Sequence, residues 1–143
     1  MSQPFNVRIY GLLVHENQLL LIKEPFAGTI ITKFPGGGLE LGEGTIDCLK
    51  REFKEELNLE VEVDSHFYTQ DFYLQSRFDP NEQILMIYYN VSCNSIENLE
   101  KIDPDIKEII WQDVSTLSTE DVTLETDKLV VDMWLKEREE ANS

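Results

Sequence analysis

Five of the chain's seven glycines (Gly36, Gly37, Gly38, Gly42 and Gly44) fall within nine consecutive positions. A stretch so poor in side chains has little to bury and much backbone freedom to lose, so it predicts a loop with ordered elements on either side. Directly after it, Ile46, Leu49, Phe53 and Leu57 recur at steps of three and four and predict a helix over 45–57 with one apolar face. Ahead of it, 5–14 and 18–23 predict a hairpin turning at His15-Glu16-Asn17, and 29–34 a further β-branched run. Beyond the helix, 60–76 alternate weakly, and Asp79-Pro80-Asn81 supplies turn chemistry before a denser strand at 84–91. A short strand at 109–111 then precedes a helix over about 124–139, with Leu124, Val130, Val131 and Trp134 inward. Strands before, between and after two helices predict an α+β or α/β sandwich and exclude a helical bundle.

At 143 residues, with no repeat and no Ser/Gly/Pro-rich linker, the whole chain 1–143 is expected to be a single domain. Its formal charge of −16 repels phosphate backbones and anionic lipid, so duplex nucleic acid and acidic membranes are poor partners. No apolar run reaches the ~20 residues of a spanning helix, and the opening Met-Ser-Gln-Pro lacks a basic-then-apolar signal. Cys48 and Cys93 form no framework and are expected to be free thiols, which suits a reducing cytoplasm.

The helix at 45–57 carries Glu52, Glu55 and Glu56 at i, i+3 and i+4, within an arc of roughly 100°. Like charges at this spacing repel, and the negative end of the helix dipole makes the last turn a poor place for them. Lys50, Arg51 and Lys54 offset part of that repulsion. A divalent cation with a preference for hard oxygen ligands offsets it better. Taken alone, the cluster is also readable as a solvated acidic face with i,i+4 pairs such as Arg51–Glu55. The glycine-rich run from Phe34 to Glu43 feeds the same helix, and it lets backbone carbonyls reach a metal and N–H groups reach a phosphate.

This combination resembles the Nudix hydrolases, whose signature is Gly, any five, Glu, any seven, Arg-Glu, apolar, any, Glu-Glu, any, Gly, apolar. Here it reads Gly37, Glu43, Arg51-Glu52, Phe53, Glu55-Glu56, Asn58, Leu59. Six of seven fixed identities match, which at roughly 7% usage per residue type has a chance weight on the order of 10⁻⁷. Asn58 stands where the family has Gly; Asn is the second choice for a left-handed helix cap, so the geometry is expected to persist.

The resemblance implies an α/β fold, a Nudix-type α/β/α sandwich with a mixed β-sheet. It also implies that Glu52, Glu55, Glu56 and the backbone carbonyl of Gly36 ligate Mg²⁺ or Mn²⁺, and that a Glu43–Arg51 ion pair fixes the loop. A metal-activated water would attack a diphosphate linkage in a small nucleotide derivative: a nucleoside triphosphate, ADP-ribose or a nucleotide sugar. Glu52 is the first candidate for general base and Glu108 the later one. A homodimer is compatible with the resemblance. A non-catalytic nucleotide-sensing module of the same fold would be expected to have lost some of these carboxylates, which this chain retains.

Outside the signature, Arg8, Lys33 and Arg77 are candidates to grip a terminal phosphate, with solvated surface as the alternative. Phe5, Phe34, Phe72 and Tyr73 are candidates to stack a base, with core or sheet packing as the alternative. Gly37 and Gly38 are expected to let the substrate approach the backbone. His15 and His66 have no ligand spacing, and 136–140 reads as a helix end in solvent.

Overall fold

The computed structural model describes residues 4–142; what the sequence suggests of residues 1–3 and 143 lies outside them. In chain order the elements are β1 (Phe5–His15), β2 (Gln18–Phe26), β3 (Thr29–Lys33), β4 (Gly36–Gly38), α1 (Thr45–Leu57), β5 (Glu62–Thr69), β6 (Gln83–Ser92), β7 (Glu108–Asp113) and α2 (Glu125–Ala141). The expected hairpin is present. Glu16 and Asn17 turn it with φ of 48° and 66°, the mirror-image turn whose twist matches a two-residue connection.

Only the hairpin's tip is paired, Val14 with Leu19 and His15 with Gln18. Beyond it the strands part. β1 runs parallel to β6 and antiparallel to β4, while β2 lies antiparallel to both β3 and β7. β5 closes the far edge against β6 with two register shifts, giving a seven-stranded mixed sheet.

Successive residues of β1 and β2 point to opposite faces. Ile9, Leu13, Leu20 and Ile22 join Cys48, Leu49, Phe53 and Leu57 of α1 in one core. Tyr10, Leu12, Leu19 and Leu21 join Val130 and Val131 of α2 in the other. The two helices thus cover opposite faces, and the α/β/α sandwich is the observed architecture. Because both faces are covered, β1 and β2 read as continuous apolar runs.

Three details differ from the sequence expectation. Gly36–Gly38 is a short strand against β1, since glycines let the chain lie flush there. Ile46 is 46% exposed, and Cys48 takes its place on the inward face of α1. The weak alternation of 60–76 becomes a strand only as far as Thr69. Asn58 does adopt the left-handed cap, at φ 56° and ψ 31°. Cys48 and Cys93 are free thiols. Among the described residues no helix is long and apolar enough to cross a membrane.

Candidate active site

The loop after β4 is tied to α1 through Arg51. Its guanidinium donates to both oxygens of Glu43, at 2.7 and 3.0 Å, and to the Gly38 carbonyl at 3.1 Å. The Glu40 N–H donates to Glu43 as well, closing the loop at 2.9 Å. The Arg51 hydrogen bonds, aided by that N–H, pull the Glu43 carboxyl down to about 2, while Glu43 in turn holds Arg51 above its ordinary value. The expected Glu43–Arg51 brace is therefore present. Arg51 also meets Glu52 at 3.0 Å, Glu55 at 3.2 Å and Glu40 at 3.7 Å.

The Glu52 carboxylate packs directly beneath the glycine strand. A Cβ at Gly37 would lie 2.5 Å from it, and one at Gly36, where φ is 148°, would run into the Ile9 carbonyl. Both positions require glycine for this approach. Glu56 is half-buried; burial, followed by a hydrogen bond and repulsion from Glu52, pushes its carboxyl up to about 9. Glu55 faces solvent.

These residues suit a divalent cation. The donors are hard oxygens, and burial beside the Glu52 carboxylate disfavours a second negative charge on Glu56, which a cation between them would relieve. Among the described residues no three acidic, His or Cys side chains stand gathered as a finished cage. Arg51 engages Glu52 and Glu55 instead.

Next to the carboxylates lies a cleft between the two halves of the sheet. Two contiguous cavities of about 140 and about 270 Å³ share Arg8, Tyr10, Phe26, Ile84 and Leu124 as walls. Lys33 lines the floor, only 4% exposed, and bonds Glu24 at 2.8 Å. Burial opposes its charge, but the Tyr10 phenol and Glu24 outweigh that and hold it above its ordinary value. Arg8 donates to the Tyr10 hydroxyl at 2.7 Å, and Tyr10, with Glu52 and Glu24, keeps it strongly basic. The Lys33 ammonium sits 4.8 Å over the Tyr10 ring. At the mouth, Phe26 meets Phe78 edge-on at 5.3 Å and carries the Arg77 guanidinium at 5.8 Å. Lys33 and Glu24 act electrostatically on Glu56, and Glu52 acts on Arg8, so carboxylates and cleft cations form one site. A wider hollow of about 540 Å³ beside the loop is lined by Glu40, Glu43 and Glu82 without a cation, a poor seat for a polyanion.

Several sequence expectations change. Lys33 is buried, not solvated. Phe34 is wholly buried edge-on to Tyr88 and offers no face to a base. Phe5, Phe72 and Tyr73 are exposed and do not line the cleft. Glu108 begins β7 opposite Lys23, its ion-pair partner at 4.0 Å, and faces that lysine, not the carboxylates of α1. Sequence reasoning missed Tyr10, Glu24, Phe26 and Phe78, which come from separate strands and a loop. The one available signal was the charged pair Glu24 and Lys33 at the ends of apolar runs.

The family model for the NUDIX domain matches residues 4–133. Nucleoside triphosphatase NudI of Escherichia coli is 31% identical over 97 residues, 65% of this chain and 69% of that protein. A NUDIX hydrolase from Nitrosomonas europaea superposes with a TM-score of 0.77 at 17% identity, covering 98% of this chain and 75% of that one. A MutT NUDIX hydrolase from Burkholderia pseudomallei superposes at 0.72 with 21% identity, covering 92% and 98%.

Proposed function

The chain belongs to the Nudix family of hydrolases, and on that premise we propose that it hydrolyses nucleoside triphosphates to the monophosphate and pyrophosphate with Mg²⁺ or Mn²⁺. The observation that carries this reading is the junction of α1 carboxylates with two cations, the half-buried Arg8 and the buried Lys33, at the foot of an aromatic-mouthed cleft. The name of the Escherichia coli relative favours a triphosphate over ADP-ribose or a nucleotide sugar.

Glu52, Glu55 and Glu56, with the Gly36 carbonyl, would hold the cation. When bound, it neutralises phosphate charge, acidifies water and favours in-line attack. Gly37 and Gly38 let phosphate oxygens approach the backbone. Arg8 and Lys33 bind those oxygens, and Phe26, Arg77 and Phe78 flank the nucleoside. Glu43 and Arg51 keep the loop seated on α1. Glu52 takes the proton from water as its oxygen bonds to phosphorus, and the bridging P–O bond breaks with its electron pair leaving on pyrophosphate. The free thiols suit a cytoplasmic setting.

The test incubates nucleoside triphosphates, ADP-ribose and nucleotide sugars with Mg²⁺ and resolves the products by chromatography. Triphosphates are expected to yield monophosphate, and Arg8→Ala should raise KM about tenfold, the weight of a lost charged hydrogen bond. Turnover confined to ADP-ribose or nucleotide sugars would overturn the assignment.

A further inference from the structure

Asp127 of α2 is 1% exposed, and its Oδ2 is the single buried side-chain polar atom among the described residues with no hydrogen-bond partner. Its Oδ1 accepts from the Tyr88 hydroxyl at 2.6 Å. It stands on the inward side of α2 with Val130 and Val131, and the Phe34 backbone N–H also faces its carboxyl. Its bond to the Tyr88 hydroxyl is short and therefore directional.

That direction runs along a cross-strand row. Gly36, Tyr10, Tyr88 and Tyr68 are successive Cα partners across β4, β1, β6 and β5. The Tyr88 ring lies 5.5 Å from that of Tyr10 and 6.4 Å from that of Tyr68. Tyr10 in turn accepts from Arg8 and lies beneath Lys33. Without the bond to Asp127, the Tyr88 hydroxyl would keep only a long contact to the Met86 sulfur at 3.9 Å, and its ring would be held by packing alone. The Asp127 carboxyl is also within electrostatic reach of Lys33.

We propose that Asp127 is a positioning residue: through the Tyr88 hydroxyl it fixes the Tyr10 ring on which Arg8 and Lys33 are mounted, and so sets the cleft's affinity for phosphate without touching it. The inference rests on the reading of Arg8 and Lys33 as phosphate-binding residues.

The test is calorimetric binding of inorganic tripolyphosphate, with Mg²⁺ present, to folded wild type, Arg8→Ala, Asp127→Ala, Asp127→Asn and Tyr88→Phe. Tyr88→Phe and Asp127→Ala should each weaken binding about fivefold, the equivalent of one hydrogen bond. Asp127→Asn, which keeps Oδ1, should stay within about twofold, because the acceptor geometry survives. If Asp127→Ala does not fold, Tyr88→Phe carries the test, since it keeps the ring and removes only the hydroxyl. Weak binding by Arg8→Ala beside wild-type binding by Tyr88→Phe would overturn the positioning role alone. Failure of Asp127→Asn to rescue would overturn it as well. Wild-type binding by Arg8→Ala would remove the phosphate reading and the inference with it.

Discussion

On the loop and helix side of the site, Arg51 meets four carboxylates, and a fifth, Glu56, lies half-buried beside Glu52. On the cleft side, Arg8 and Lys33 are held by Tyr10 and Glu24, with their hydrogen bonds already made. The first region is short of positive charge, whereas the second is near balance and ordered before any ligand arrives. Binding should therefore reorganise the acidic side and leave the cleft's cations nearly where they stand. Preorganised donors of that kind lower the reorganisation needed as substrate charge enters.

The sharpest way to break this comparison is Glu56→Gln. It resembles the protonated carboxyl that the fold already favours, so the metal-free protein should melt no lower than wild type. Turnover should nonetheless fall at least ~100-fold, because misplacing the cation removes several kcal/mol of transition-state stabilisation. Melting curves and initial rates on one preparation decide it; near-normal turnover would remove Glu56 from the ligand set.

A smaller effect concerns pH. Glu56 titrates near 9 in the fold against an ordinary 4.5, so between those values the folded state binds the extra proton. Stability of the metal-free protein should consequently fall as pH rises through that window. Asp127, raised to about 6 by burial against the opposing Tyr88 hydroxyl and Lys33, adds a loss of the same sign at the lower end. Melting temperatures from pH 6 to pH 9 isolate Glu56. Saturating Mg²⁺ should flatten that decline, since the cation replaces the proton. A metal-free profile that is flat or rising would show that the acidic side is not short of positive charge.

The two sides also differ in how openly the sequence displays them. The acidic side is one contiguous segment in which glycine, loop, helix and cap follow in order, so a single motif resemblance implied both the Glu43–Arg51 pair and the left-handed turn at Asn58. The cleft is assembled from β1, β2, β3, the loop before β6 and the start of α2, and nothing local marks Tyr10, Glu24 or Phe78 as neighbours. The two readings of Phe34 and of Lys33 stayed open for the same reason, since burial depends on which strand lies next door. Asp127 was more legible: it stands three and four residues before Val130 and Val131, on the inward stripe of an amphipathic helix.

The smallest effect is expected at Asn58→Gly. Glycine favours the left-handed cap, but Asn58 also donates to the Asn98 carbonyl at 3.2 Å and accepts from Lys54 at 3.3 Å, both in exposed settings. The two contributions should leave stability within about 1 kcal/mol of wild type, with activity unchanged. Denaturant titration measures it; a larger loss would mean that the acidic side depends on a long-range contact as much as the cleft does.

The parallel pairing of β1 with β6 has a kinetic consequence. Phe5 pairs with Gln83, so these partners are 83 − 5 = 78 residues apart in the chain. During synthesis at ~5–20 residues per second, β1 waits about 4–16 s for its partner, an interval in which α1 and its loop are already complete. Through that interval the central strand of the finished sheet is an apolar edge open to other chains. Chain release or truncation before Val91 should therefore give aggregates, and folding rate should respond far more to substitutions in β1 and β6 than to those in the glycine loop.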